Sequence, residues 1–97
     1  MINLLKKNKV KDYCLLQCTA KYPAPLESLN LSTIPQIKRR YNIPVGLSDH
    51  STDPVIGPIS AVALGATIIE KHFTLDKNLP GPDHKFALTP QELKKMV

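Results

Sequence analysis

The sequence predicts an α/β fold with three parallel strands and intervening helices, and three observations carry that prediction. Short apolar runs at Tyr13–Thr19, Val45–Ser48 and Thr67–Ile69 suit strands buried within a sheet. A segment of helical character precedes each run, so the order is helix, strand, helix, strand, helix, strand. A chain that returns through a helix between strands builds right-handed βαβ units and hence a parallel sheet.

The elements follow in order. Ile2 and Leu5 lie on one side of the first ten residues, which read as the tail of an amphipathic helix, and Asp12 marks the turn. After the first strand, Pro23 and Pro25 keep the loop extended. Asn30 or Ser32 caps the next helix, where Ile34, Ile37 and Tyr41 recur at helical spacing. Pro35 falls in the first turn, where its missing N–H costs nothing. Asn42 closes that helix, and the second strand leads directly into Asp49-His50-Ser51. A third helix is expected between Pro54 and Leu64, with Ala61, Val62 and Leu64 facing the sheet and Gly65 as its left-handed stop. The third strand opens at Thr67 and continues into Glu70-Lys71-His72-Phe73. Thr89-Pro90-Gln91-Glu92 is a capping box with proline at the first helical position, and Leu93, Met96 and Val97 begin an apolar face. A first helix apparently without its beginning and a last one that stops early make the chain read as an excerpt from a larger α/β protein.

Composition narrows the function classes. Ninety-seven residues, 42% hydrophobic and 22% charged, suffice for one small domain. No window approaches the roughly 18 apolar residues of a membrane helix, and the lysine-rich start is no secretory signal, so the expectation is a soluble, cytoplasmic protein without membrane contact. Net charge is +5, yet the basic clusters Lys6 to Lys11 and Lys38 to Arg40 have none of the five aromatics interleaved, which argues against nucleic-acid binding. Lys38 to Arg40 fit the last turn of a helix, at the negative end of its dipole. Cys14 and Cys18, about 13 Å apart on a strand, cannot form a disulfide and are expected to be buried thiols.

Polar residues of chemical interest gather where the strands end, which is where α/β folds place their sites. The first strand offers Thr19, Lys21 and Tyr22, and the second Ser48, Asp49 and His50. The third offers Glu70, Lys71 and His72, followed by Asp76, Asp83 and His84. His50 and His72 are one strand-loop-helix repeat apart, so adjacent parallel strands bring them together and the two imidazoles can share a divalent ion. Two protein ligands leave an open coordination sphere, the condition for Lewis-acid catalysis. Ser48 lies on the same side as His50 and can donate to a phosphate or carboxylate. Lys71 alternates away and is expected to be structural, with Glu70 equally ambiguous. Pro80-Gly81-Pro82-Asp83-His84-Lys85 is either a rigid loop holding a side chain over the cleft or a plain surface turn.

Gly46-Leu47-Ser48-Asp49-His50, Ala63-Leu64-Gly65-Ala66, Glu70-Lys71-His72-Phe73-Thr74 and Gly81-Pro82-Asp83-His84-Lys85 resemble the sialic acid synthase family from about Leu15 to Val97. The resemblance implies a fragment of a TIM (β/α)₈ barrel, residues 1–97 supplying its last three strands, without the antifreeze-like C-terminal domain. It implies condensation of phosphoenolpyruvate with N-acetylmannosamine or a related N-acyl hexosamine to a nine-carbon keto acid. His50 and His72 are then the ligands of Mn²⁺ or Mg²⁺ and, with Asp83, the catalytic residues. Ser48, Tyr22, Thr19 and Asp83 are the implied substrate contacts, and the full-length relatives are homodimeric. The 81–85 loop favours the N-acetylneuraminate or legionaminate branch. One departure is Ala20, where relatives commonly carry Asn or Ser against phosphoenolpyruvate. The family's glutamate near the first strand and its phosphate-gripping lysines have no counterpart, so the expectation is that the chain alone is inactive. The alternative is a non-catalytic or split-gene piece with a structural or fragment-complementing role.

Overall fold

In the computed structural model, which describes residues 1–97, the order is α1 (Ile2–Lys7), β1 (Leu15–Cys18), a 3₁₀ turn (Leu26–Ser28), α2 (Thr33–Tyr41), β2 (Val45–Asp49), α3 (Ile56–Ala63), β3 (Ile68–Lys71) and α4 (Pro90–Met96). The strands form one parallel sheet in the order β1-β2-β3, with Leu15 opposite Val45 and Gly46 opposite Ile68. The α/β class and the three parallel strands are as the sequence predicts. No helix is long and apolar enough to cross a membrane.

Strand periodicity sorts the side chains between two faces. Val45 and Leu47 of β2 join Ile34, Ala61 and Ala66 in the core beneath α2 and α3, with Leu31, Ile37, Ile43 and Ile69 packed around them. Burying each large aliphatic side chain of this kind contributes about 1.5–3 kcal/mol. Gly46, Ser48 and His50 occupy the other face. At Gly46 a Cβ would lie 2.3 Å from the carbonyl oxygen of Ile68, so only glycine lets β2 and β3 approach this closely.

Three helix ends match their expected chemistry, but the start of α2 does not: Ser32 makes no side-chain cap, and the Asn30 amide donates to the Ser28 carbonyl instead. Asn42 is left-handed (φ 51°, ψ 51°), and its N–H donates to the Lys38 carbonyl. Gly65 stops the third helix at φ +95°. Thr89 and Glu92 form the expected capping box, Glu92 N–H donating to the Thr89 hydroxyl and Thr89 N–H to the Glu92 carboxylate.

Two further expectations are corrected. Of Ala61, Val62 and Leu64, only Ala61 packs on the sheet; the buried stripe of α3 is Gly57, Pro58 and Ala61, whose small size lets the helix sit close, and Val62 and Leu64 turn outward. Both cysteines are exposed rather than buried. Cys18 pairs in register with Ser48 on an edge strand, on the sheet face that α2 and α3 do not cover.

Candidate functional site

The carboxyl end of β2 places His50 at the centre of a cluster. Its Nδ1 lies 3.0 Å from the carbonyl oxygen of Thr19. A carbonyl only accepts, so Nδ1 is the donor, and in the neutral imidazole this tautomer leaves the lone pair on Nε2. The nearest polar neighbour of Nε2 is the Ser48 hydroxyl at 3.4 Å, and that hydroxyl donates instead to Glu70 Oε1 at 2.7 Å. A neutral imidazole whose second nitrogen is held by a backbone carbonyl is the arrangement metal-ligating histidines adopt.

His72 follows the end of β3, its ring centroid 5.4 Å from that of His50 and its plane inclined by 64°. Rings sharing one ion through bonds of roughly 2.1 Å have centroids about 5 Å apart, and the separation of this pair is close to that spacing. His72 Nδ1 faces Asp83 Oδ2 at 3.7 Å, too far for a hydrogen bond. Within these 97 residues no group of three or more His, Cys, Asp or Glu side chains converges to hold a metal ion, so the pair alone would leave further coordination positions open.

The loop after β1 forms one wall. Tyr22 stacks on His50 with centroids 4.2 Å apart and stands edge-on to His72 at 6.1 Å. Ala24 N–H donates to the His50 carbonyl, and Gln17 and Thr19 donate to the carbonyls of Leu29 and Ser28, which ties the loop to both strands. Thr19 thus brings its carbonyl rather than its hydroxyl to the cluster.

Six residues singled out from the sequence come together here: Thr19, Tyr22, Ser48, His50, His72 and Asp83. Asp76 does not join them, its carboxylate accepting from Asn78 in a local turn. His84 is held by the Thr74 hydroxyl at 2.7 Å, which fixes the loop that carries Asp83. Phe86 was not foreseen. Its buried ring packs against His72 at 5.0 Å and Tyr22 at 5.6 Å, closing the far side. The signal was the apolar run Phe86-Ala87-Leu88, which returns beneath His72 as Leu88 N–H donates to its carbonyl. Glu70 was the other ambiguous residue, and here it holds the Ser48 hydroxyl.

The model of the NeuB family matches residues 1–97. The N,N'-diacetyllegionaminic acid synthase of Campylobacter jejuni is 50% identical over 97 residues, covering 98% of this chain and 29% of that protein. Among solved structures, the spore coat polysaccharide biosynthesis protein SpsE of Bacillus subtilis superposes with a TM-score of 0.92 at 49% identity, over 97% of this chain and 26% of that one. The N-acetylneuraminic acid synthetase of Leptospira borgpetersenii, solved with citrate, gives 0.89 at 42% identity, over 98% and 33%. The chain spans about a quarter of the length of the curated relatives it matches.

Proposed function

The chain belongs to the NeuB family, and from that membership we propose that it forms the metal-holding side of a nonulosonic acid synthase, within the last three strands of a complete (β/α)₈ barrel. The reaction is condensation of phosphoenolpyruvate with N-acetylmannosamine or a related N-acyl hexosamine: C3 of phosphoenolpyruvate bonds to the aldehyde carbon of the sugar, water adds at C2, and the C2–O bond breaks to release phosphate.

The observation that carries this reading is the geometry of the histidine pair: Nδ1 of His50 is taken up by the Thr19 carbonyl, which leaves Nε2 as the nitrogen available to a ligand, beside the ring of His72. His50 and His72 would hold the divalent cation, and a donor set of two imidazoles suits Mn²⁺ better than Mg²⁺, which prefers oxygen. When bound, the cation supplies Lewis-acid polarisation of the sugar's carbonyl. Ser48 donates its hydroxyl to a phosphoenolpyruvate oxygen in place of Glu70. Asp83, exposed on its rigid loop, accepts from sugar hydroxyls and orients the aldehyde. Tyr22 and Phe86 fix the imidazole planes, and the Thr19 carbonyl takes the hydrogen bond of His50 Nδ1.

The test is His50→Ala and His72→Ala in a complete synthase carrying this segment. Metal-dependent condensation should fall about a hundredfold or more in each. Undiminished turnover in either variant removes the assignment.

A further inference from the structure

Behind the histidine pair, on the opposite side of the sheet, Lys71 Nζ meets Asp49 Oδ2 at 2.7 Å, with side chains 3% and 0% exposed. The same ammonium donates to the Ser51 carbonyl at 2.7 Å and lies 3.3 Å from the Ser51 hydroxyl. The other carboxylate oxygen, Asp49 Oδ1, accepts the Ser51 N–H at 2.8 Å. Every polar valence of this buried node is directed, and no buried side-chain nitrogen or oxygen in the chain lacks a partner.

Its position gives it a consequence. Asp49 and Lys71 are register partners across β2 and β3, and each immediately precedes one of the two histidines. Strand alternation turns the ion pair toward α3 and the imidazoles toward the opposite face. Ser51, bonded to both members of the pair, closes the turn around His50 from its other side. The peptide segment carrying His50 is thereby fixed at both ends to the residue next to His72. Gly57 of α3 seals the node from behind, since a Cβ there would stand 2.6 Å from Asp49 Oδ2.

A buried ion pair is poor evidence of stabilisation, because desolvation offsets most of the attraction, and an apolar pair of similar volume often serves stability as well. What an apolar pair does not supply is a directed three-point link between two strand ends. We infer that Asp49 and Lys71, with Ser51, are positioning residues that set the separation and orientation of His50 and His72, and so the affinity of the site for its divalent cation. This rests on the reading of the histidines as the metal pair.

The experiment titrates Mn²⁺ into a complete synthase carrying this segment, by calorimetry and by the Mn²⁺ electron paramagnetic resonance signal, well below the unfolding temperature. Asp49→Asn keeps the shape of the side chain and weakens the link; the double variant Asp49→Asn, Lys71→Met removes both charges and leaves none buried alone. The expected result is a Kd raised about tenfold to a hundredfold in both, as for other groups that orient metal ligands. Circular dichroism should stay native, and a merely structural pair would lower the unfolding temperature and leave Kd unchanged. His50→Ala is the control. If it abolishes Mn²⁺ binding while either folded Asp49 variant binds as tightly as the parent, the positioning role is overturned. If His50→Ala itself binds Mn²⁺ normally, the histidine pair is not the metal site and the earlier reading fails first. Asp49→Asn is isosteric, so its titration decides the matter should the double variant not fold.

Discussion

At the scale of single residues, one hydrogen bond and one ring contact orient His50. The Thr19 carbonyl takes up Nδ1, and the stacked ring of Tyr22 fixes the plane in which Nε2 points. Tyr22→Phe retains that stacking, whereas Tyr22→Ala removes an aromatic contact of about 0.5–1.5 kcal/mol. The expected outcome is near-parental Mn²⁺ affinity for Tyr22→Phe and a Kd weakened about two- to tenfold for Tyr22→Ala, measured by calorimetry. Gly46→Ala acts on stability instead, because a methyl group 2.3 Å from the Ile68 carbonyl forces β2 and β3 apart. A loss of about 1–3 kcal/mol is expected in denaturant unfolding. Much of the site was legible at this scale: His50 and His72 follow strand ends, Ser48 lies two residues before His50 on the same face, and strand ends are readable from apolar runs. The partners of Lys71 and Glu70 were not legible. They depend on which face each side chain takes and on what lies across the sheet, and a single strand's sequence gives alternation without naming the neighbour.

At the scale of elements, the start of α4 shows a cap reinforced by charge. Lys77 Nζ donates to Glu92 Oε1 at 2.8 Å, while the Thr89 N–H and hydroxyl donate to Oε2. The Lys77 ammonium first, and the Thr89 N–H second, hold the Glu92 carboxyl down from its ordinary 4.5 to about 2. The folded state therefore favours the ionised form. This contribution is complete above pH 4.5 and disappears as the pH falls toward 2. In a partly exposed pair it amounts to about 1 kcal/mol. Glu92→Gln should lower the unfolding temperature slightly at neutral pH and flatten its acid dependence between those limits, as thermal melts across that range would record. Thr89→Ala, which removes the hydroxyl of the same cap, should cost about 1 kcal/mol at neutral pH. The capping box was readable because Thr89 and Glu92 lie within four consecutive residues, as were the local stops at Asn42 and Gly65, whereas the Lys77 contact comes from fifteen residues away and was not. The buried face of α3 was misread because Val62 and Leu64 are the more apolar candidates. Close packing on β2 selected the small residues Gly57, Pro58 and Ala61 instead.

At the scale of the whole molecule, β2 is buried along its length while β1 and β3 are edges, and one sheet face is covered by α2 and α3. The other face carries Leu16, Cys18, Ser48, Glu70 and His72, and it explains the misplaced thiols. An apolar strand next to a cysteine reads as buried on both sides, yet within these 97 residues nothing covers Cys18. In the proposed barrel that face turns inward, so Cys18 becomes a reporter of closure. Both Cys14 and Cys18 should react with Ellman's reagent in the 97-residue chain at rates typical of open thiols. Within a complete synthase, Cys18 should react slower by at least an order of magnitude, since a thiol enclosed by the barrel is attacked only when the structure opens. Equal rates for Cys18 in the two settings would mean that the face bearing Ser48 and the histidines stays open, and the barrel reading of this segment would have to be given up.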